Sequence, residues 1–399
     1  MLPLIDDLRT NKLDKSQLPH ARIDGLYVHV PFCFHKCHYC DFYSITRQSP
    51  ERMERFVDRV LDEAKLWSDT PVQPRFKTIF FGGGTPSLLP VDQMERLLVG
   101  LHDRFDLSKV DEWTIEVNPA TSNLDSLQSM RAHGVTRISL GAQSFNRAEL
   151  AALERHHDPI DVDKTIDLAR QAGFERINLD LIYAIPGQTL VTWLASIERA
   201  LALGTDHISA YALTYEPSTP LAVLKRLGRI KPADESLELE MLSLVRSRLE
   251  VAGLSAYEIS NHARAGQACR HNLMYWTGGS YIGLGPSAAS HVAGVRFKNL
   301  PHIRHWEQAI DSRTLPAVDV EVLSPAQRAG ERIMLGLRLA DGISLCEIRD
   351  EFDVDLIKQH EQLLEKLRSQ NLIDFNGDRM KLTPRGIELA DAIAGEFVE

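Results

Sequence analysis

Three cysteines crowd into eight positions of the segment PFCFHKCHYCDF. Cys33, Cys37 and Cys40 have the spacing C-x3-C-x2-C. Three thiolates can hold three irons of a four-iron cluster and leave the fourth open for a ligand, whereas an electron carrier normally uses four cysteines. The alternative is a zinc site completed by His35 or His38. Zinc ribbons usually pair two C-x2-C motifs, and the sequence has no second one, so the pattern favours a cluster with an open iron.

The cysteine segment follows the first of six β-rich runs, which alternate with longer helical patterns. This alternation is typical of βα units around a parallel sheet. The predicted strands are 26–30, 78–81, 113–117, 137–140, 176–182 and 207–213. A strong amphipathic helix is predicted after Ser49 as N-cap and Pro50 at the first helical position. Six units form either an open doubly wound sheet or a partial barrel, and in both folds ligands bind beyond the carboxyl ends of the strands.

Glycines and polar side chains follow these predicted strand ends. The segment GGGTPS comes directly after the second strand, where glycines let backbone N–H groups approach a carboxylate or an amine-linked water. Glu116, Gln143 and Asp180 lie at or near the ends of the next three strands. Because an acid in an apolar strand is costly to bury without a partner, we expect a ligand hydroxyl or amine beside it. A solvated strand end is the alternative.

The cysteine spacing, the GGGTP segment and the six strands together resemble the radical S-adenosylmethionine (SAM) superfamily. The resemblance covers about 26–296 and implies a partial (β/α)6 TIM-like barrel, a [4Fe-4S] cluster on the three cysteines, and SAM chelated to the open iron. In that family the reduced cluster cleaves the sulfonium of the cofactor. The positions that match cofactor contacts of the porphyrin branch are Tyr27, Gly83, Gly84, Thr85, Glu116, Gln143, Arg155, Asp180 and Ala212. Arg155 is expected to face the cofactor carboxylate, and Tyr39 to lie against the adenine.

Three further segments, YVHVPFC, GAQSF and DLIY, resemble the group that contains the oxygen-independent coproporphyrinogen III oxidases and the related heme chaperones. The oxidase loop has another cysteine two positions after the third, where this chain has Phe42. The oxidases also have a longer N-terminal arm, whereas 26 residues precede Tyr27 here. Both departures favour the chaperone branch.

The segment HNLMYW matches HNxxYW, a motif associated with the chaperones. The resemblance implies that His271, Tyr275 and Trp276 contact heme, since an imidazole can ligate the iron and aromatic rings can pack the macrocycle. A structural histidine beside an aromatic corner is the alternative. Rival iron ligands are Cys269, His262 and His291.

The sequence therefore predicts a heme carrier that holds a [4Fe-4S] cluster and SAM and passes heme to acceptor proteins, with respiratory proteins as candidates. Two enzymatic alternatives stay open: oxidative decarboxylation of coproporphyrinogen III propionates, and another radical modification of a porphyrin. No residue is assigned a catalytic role. Monomer and homodimer are both compatible with the sequence.

Composition excludes several classes of protein. Apolar residues make up 44% and charged residues 25%, as in an ordinary globular protein. The net charge of -10 gives no global attraction for nucleic acid. The start of the chain lacks the basic and apolar pattern of a signal peptide, and no run approaches the roughly 18 apolar residues that a transmembrane helix needs. We expect a cytoplasmic protein without nucleic-acid partners, for which peripheral contact with a membrane stays open.

The pattern changes near residue 323, so the predicted domains are an N-terminal extension at 1–25, the radical SAM barrel with its HNxxYW extension at 26–322, and a C-terminal domain at 323–399. Three predicted helices and a hairpin around Asn376 and Gly377 suggest a winged-helix-like α+β domain. It holds 10 basic and 15 acidic residues. Because phosphate contacts supply most non-specific DNA affinity, we expect a lid or an interaction module instead.

Overall fold

The computed structural model describes residues 13–119 and 121–398. All six predicted strands are present as neighbouring parallel strands of one large sheet. They are β1 (Arg22–Val30), β2 (Gln73–Gly83), β3 (Glu112–Val117), β4 (Arg137–Gln143), β5 (Arg176–Tyr183) and β6 (His207–Ala212). Because β1 begins at Arg22, the predicted end of the N-terminal extension at residue 25 falls inside this strand. Residues 1–12 of that extension lie outside the described residues.

Helices connect or flank these strands, as the alternating pattern predicts. They are α1 (Pro50–Leu66), α2 (Val91–His102), α3 (Leu124–Ala132), α4 (Arg147–Ala152), α5 (Pro159–Gln171), α6 (Leu190–Ala202), α7 (Pro220–Arg226) and α8 (Glu235–Val251). Ser49 caps α1 as predicted, accepting a hydrogen bond from the backbone of Arg52. The short helices α4 and α7 were not predicted, because six or seven residues are too few to show a helical period.

A second group of short elements extends the sheet at both sides. It contains β7 (Ser255–Ala256), β8 (Asn261–Ala263), α9 (Arg270–Trp276), β9 (Tyr281–Leu284), β10 (Ala289–Val292), β11 (Val295–Asn299), α10 (Ile303–Asp311) and β12 (Ala317–Val322). The strand order is β12-β11-β10-β9-β1-β2-β3-β4-β5-β6-β8-β7. β9 adds a parallel strand beside β1 that the sequence did not reveal. β6 pairs with β8 and not with β9, so the barrel stays open as predicted.

A buried carboxyl group attaches β9 to the first helix. Glu63 on α1 accepts hydrogen bonds from the backbone of Gly285 (2.8 Å), the amide of Asn299 (2.6 Å) and the indole of Trp306 (2.9 Å). Burial raises the pKa of Glu63 to about 8 despite these donors. Glu63 thereby connects α1, the end of β9, β11 and α10 at one buried point.

The remainder of the chain packs around a second hydrophobic core. Its elements are α11 (Pro325–Gly336), β13 (Ile343–Ser344), α12 (Leu345–Phe352), α13 (Leu356–Gln359), α14 (Glu361–Ser369), β14 (Ile373–Asn376), β15 (Arg379–Leu382), α15 (Pro384–Glu388) and α16 (Ala390–Gly395). The predicted hairpin is β14–β15, to which β13 adds a third strand. The predicted third helix is interrupted at His360. A β-bridge between Glu258 and Leu339 joins this part to the larger sheet region.

Candidate functional site

The cysteines lie on a loop that begins where β1 ends, and backbone hydrogen bonds close its base. Ile45 donates to the carbonyl of Pro31 (2.6 Å), and Cys33 donates to the carbonyl of Ile45 (3.1 Å). Phe32 is buried against the ring of Phe56 on α1, with ring centroids 5.2 Å apart. We call residues 31–45 the cluster loop. Its closed base holds the three cysteines beyond the carboxyl edge of the sheet.

All three cysteines of this loop line one cavity of about 960 Å³. Cys33 is buried and accepts a hydrogen bond from Thr85 Oγ1 at 3.7 Å, and Cys37 accepts one from Arg155 Nη1 at 3.7 Å. Burial raises the pKa of the Cys33 thiol, and it raises the pKa of Cys40 to about 11. Bound iron stabilises the thiolate form of its ligands, so a cluster would offset this cost of burial. Three thiols that line one cavity, with donors to two of their sulfurs, therefore fit a [4Fe-4S] cluster with one open iron.

The glycine-rich turn after β2 packs against the cluster loop. The N–H of Gly84 donates to the carbonyl of Val30 (2.8 Å), and the N–H of Thr85 donates to that of Phe32 (2.7 Å). A Cβ on Gly84 would lie 2.6 Å from the Phe32 oxygen, so only glycine fits there. The expectation that the glycine N–H groups are free for a ligand is wrong for Gly84, and the N–H of Thr85 is occupied as well. Both residues still line the cavity, and their N–H groups position the loop.

The polar residues predicted at the strand ends converge on the same cavity. Glu116, Gln143 and Asp180 line it together with Gly83. Burial, followed by the charge of Asp180, raises the pKa of Glu116 to about 8. Asp180 accepts hydrogen bonds from Asn178 (2.8 Å) and Ser139 (3.1 Å), while burial raises its pKa. Two carboxyl groups in one cavity wall, both with pKa values raised by burial, suit contact with ligand hydroxyl or amine groups.

Arg155 supplies a cation to this cavity. Its Nη2 donates to the carbonyl of Gly141 at 2.6 Å, while its buried Nε has no hydrogen-bond partner among the described residues. A ligand carboxylate could satisfy that N–H, and the charge would strengthen the contact. Tyr39 and Ala212 also line the cavity, and Tyr39 packs with a small apolar cluster that includes Leu153.

Tyr27 faces a second cavity of about 520 Å³, which lies beside the first. The two cavities share Asp41, Phe42, Gly83, Glu116, Ser139, Asp180 and Tyr211 in their walls. The Tyr27 hydroxyl pairs with Nδ1 of His29 at 3.1 Å. Nine of the ten predicted SAM contacts thus surround the cavity of the cysteines, and Tyr27 lines its neighbour. Phe42, at the position of the further oxidase cysteine, is 63% exposed at the junction of the cavities.

His271 is held inside the protein. Its Nδ1 pairs with Thr78 Oγ1 and its Nε2 with the Tyr275 hydroxyl, each at 2.9 Å, and its ring stacks on Phe80. It has no exposed surface, and burial lowers its pKa to about 3. Both nitrogens are therefore occupied in this conformation, so iron can reach His271 only if Tyr275 or Thr78 releases it.

The three residues predicted to contact heme face different surroundings. Tyr275 lines the smaller cavity, whereas Trp276 is half-buried with the guanidinium of Arg338 5.0 Å from its ring centroid. Buried Glu112 on β3 positions this segment, because its Oε1 accepts from the backbone of His271 (3.1 Å) and from the thiol of Cys269 (3.3 Å). The sequence did not reveal this carboxylate, since it opens a strand far from the motif.

Two of the rival iron ligands, Cys269 and His262, are buried, and the third, His291, is half-buried. Cys269 is buried, and burial raises its pKa to about 12. His262 is buried with neither ring nitrogen hydrogen-bonded among the described residues. His291 pairs with the backbone of Gly279 and Gly294, each at 3.1 Å. Each would need local rearrangement to bind heme iron.

The open parallel barrel with a three-cysteine loop after its first strand defines the class of radical SAM proteins. The model of the Radical SAM superfamily matches residues 27–200, and that of the HemN C-terminal domain matches 323–389. The solved structure of coproporphyrinogen III oxidase (HemN) from Escherichia coli superposes with a TM-score of 0.83 at 23% identity, over 96% of this chain and 92% of that one. This likeness establishes the fold.

Comparison with curated relatives identifies the family within this class. Heme chaperone HemW of Lactococcus lactis subsp. lactis is 32% identical over 375 residues, which cover 94% of this chain and 97% of that protein. HemW of Mycobacterium tuberculosis is 36% identical over 374 residues, and HemW of Bacillus subtilis is 34% identical over 373, with at least 92% of each chain covered. The chain belongs to the HemW family of radical SAM proteins.

Every helix among the described residues is too short or too polar to span a membrane.

Proposed function

We propose that this chain is a heme chaperone that binds heme and delivers it to acceptor proteins. The observation that carries the proposal is a three-thiol loop facing a cavity, in a chain that aligns with HemW proteins over more than nine-tenths of its length. Phe42 supports the chaperone over the oxidase, since it stands where the oxidase loop has its further cysteine. Heme-acceptor proteins, respiratory ones among them, are the proposed partners, and the proposed location is the cytoplasm.

Cys33, Cys37 and Cys40 would hold a [4Fe-4S] cluster in this chaperone, and the larger cavity would hold SAM. A reduced cluster of this kind supplies an electron to the cofactor sulfonium. The cofactor contacts proposed for this cavity are Tyr27, Tyr39, Gly83, Gly84, Thr85, Glu116, Gln143, Arg155, Asp180 and Ala212. The chain's own part is to orient the cofactor with the Arg155 cation and the two carboxyl groups, and to shield the buried thiol of Cys33 from water.

Heme is proposed to contact His271, Tyr275 and Trp276. Binding of iron by His271 depends on Tyr275, because the Tyr275 hydroxyl is hydrogen-bonded to the Nε2 through which His271 would ligate iron. Displacing this hydroxyl would free the nitrogen of His271, and Tyr275 itself already lines the smaller cavity. In the heme-bound protein the hydrogen bond between His271 and Tyr275 would therefore be broken.

The test is anaerobic reconstitution of the cluster, followed by optical titration with heme and a parallel assay for decarboxylation of coproporphyrinogen III. Wild type should bind heme, transfer it to an apo-cytochrome, and form no protoporphyrinogen. Formation of protoporphyrinogen, or absence of stable heme binding, would overturn the proposal.

Two variants test the ligand separately. His271→Ala should lose the axial-imidazole spectrum, and Tyr275→Phe should bind heme at least as tightly as wild type, because it frees Nε2. His305→Ala is the matched control, since His305 is exposed on α10. If His271→Ala keeps both affinity and spectrum, His271 is a packing residue, and the ligand assignment fails without affecting the heme proposal.

A further inference from the structure

A second group of metal-binding side chains lies at the mouth of the larger cavity, beside the cluster loop. The carboxylate of Glu154 approaches three imidazoles: His35 Nε2 at 3.4 Å, His156 Nε2 at 3.7 Å and His38 Nε2 at 4.0 Å. One donor atom each from His35, Glu154 and His156 all lie within 4.8 Å of one another. The ion pairs of Glu154 among the described residues are with these imidazoles and with no lysine or arginine.

The backbone fixes this arrangement. Glu154 has a φ of 55°, in the left-handed region that costs a residue with a Cβ about 1 kcal/mol. The turn is held by the N–H of Arg155, which donates to the carbonyl of Leu150 at 2.9 Å. The N–H of His38 donates to the carbonyl of Leu153 at 3.2 Å, which joins the cluster loop to this turn. The side chains of His35, Glu154 and His156 therefore lie close together because a backbone hydrogen bond joins the cluster loop to this turn.

One of the donors makes no hydrogen bond, although it lies within ion-pair distance of Glu154. His35 Nε2 is buried and has no hydrogen bond among the described residues, although its ring packs edge-on against that of His156 with centroids 4.4 Å apart. A buried ring nitrogen without a hydrogen bond is costly. A bound cation would accept the lone pair of this nitrogen and would neutralise the carboxylate beside it.

We propose that His35, Glu154 and His156 bind one divalent transition-metal ion, of the class of Zn²⁺ or Fe²⁺. Two imidazoles and a carboxylate suit these metals, whereas Ca²⁺ and Mg²⁺ prefer all-oxygen sites. The ion joins the cluster loop to the turn that carries Arg155, whose guanidinium contacts Cys37. It therefore holds Arg155 against the cluster side of the cavity. This site is independent of the proposed heme function.

The experiment uses the full chain with its cluster reconstituted and any affinity tag removed. Equilibrium dialysis against Zn²⁺, followed by metal analysis, should give one zinc per chain with iron content unchanged. Glu154→Gln and His156→Ala should each weaken zinc binding more than about tenfold. His305→Ala should bind zinc like wild type. Iron content and thermal unfolding show that each variant keeps its cluster and fold.

A second measurement identifies the donor atoms. In the full chain with Cys33, Cys37 and Cys40 all replaced by alanine, Co²⁺ should give a spectrum with nitrogen and oxygen ligands and no thiolate charge-transfer band. Adding Glu154→Gln should abolish that spectrum. The proposal is overturned if wild type binds no zinc, or if Glu154→Gln and His156→Ala bind zinc as tightly as wild type.

Discussion

Arg155 links the cluster loop to the sheet: its guanidinium lies 3.7 Å from the sulfur of Cys37 and 2.6 Å from the carbonyl oxygen of Gly141. The two contacts use Nη1 and Nη2, so the buried Nε is left for another acceptor. One side chain therefore touches a proposed cluster ligand, the end of β4 and the cavity between them. This position makes Arg155 the most direct probe of the cofactor site.

Arg155→Ala is expected to weaken SAM binding about ten- to a hundredfold, since a hydrogen bond to a charged group is worth about 1.5 to 3 kcal/mol. Arg155→Lys should recover part of this loss, because it keeps the charge without the planar fork. Isothermal titration with SAM, on protein that retains about four irons per chain, measures the change. The control is Arg147→Ala on the exposed start of α4. Equal affinity in Arg155→Ala and this control would exclude a cofactor role.

Glu63 should make the protein less stable as pH rises. Its pKa is about 8 in the folded chain, against about 4.3 when unfolded. Between these values the folded chain holds a proton that the unfolded chain has released, so the free energy of unfolding falls with rising pH. The loss should be on the order of 4 kcal/mol from pH 4.5 to 8. The free energy of unfolding, measured in urea, should depend less on pH for Glu63→Gln than for wild type. The same pH dependence in both proteins would contradict the raised pKa of Glu63.

His271 should make the protein less stable as the pH falls below about 6.5. Burial lowers its pKa to about 3, whereas an unfolded histidine titrates near about 6.5. Stability present above pH 6.5 is therefore lost as pH falls toward 3, by about 2 kcal/mol at pH 5. His271→Gln should reduce this acid sensitivity, measured by urea unfolding at pH 7 and pH 5. His305→Gln, at an exposed position, should leave it unchanged, and the prediction fails if the two variants behave alike.

Gly285→Ala should be strongly destabilising. Gly285 has a φ of 96°, and an added Cβ would lie 2.4 Å from the carbonyl oxygen of His29 on β1. Gly266→Ala is the matched control, since its φ is 76° but nothing lies within 4 Å of its Cβ. The control should cost about 1 kcal/mol, and Gly285→Ala more than about 3 kcal/mol. Thermal unfolding measures the loss of stability in both variants. Equal losses would show that β1 moves away from the added Cβ at no cost in free energy.

The sequence by itself determined the alternation of strands and helices, the cluster loop and the family. These features are local: the spacing of Cys33, Cys37 and Cys40, the cap at Ser49 and the apolar period of α1 all lie within short stretches of chain. The same holds for the polar residues at strand ends, because parallel strands bring their carboxyl ends to one edge. Glu116 and Asp180 could therefore be predicted to meet, although they are far apart in sequence.

Only the tertiary structure decided what surrounds each of these residues. Glu63 binds the end of β9, which pairs with β1, and a group on α10. Because Glu63 lies more than 200 residues before these groups, no local pattern reports the contact. His271 is read from its motif as an available ligand, yet Thr78 and Tyr275 occupy both of its nitrogens. The meeting of His35 with Glu154 and His156 likewise follows from the path of two loops. Burial and partners are properties of the packed chain, whereas residue type and spacing are properties of the sequence.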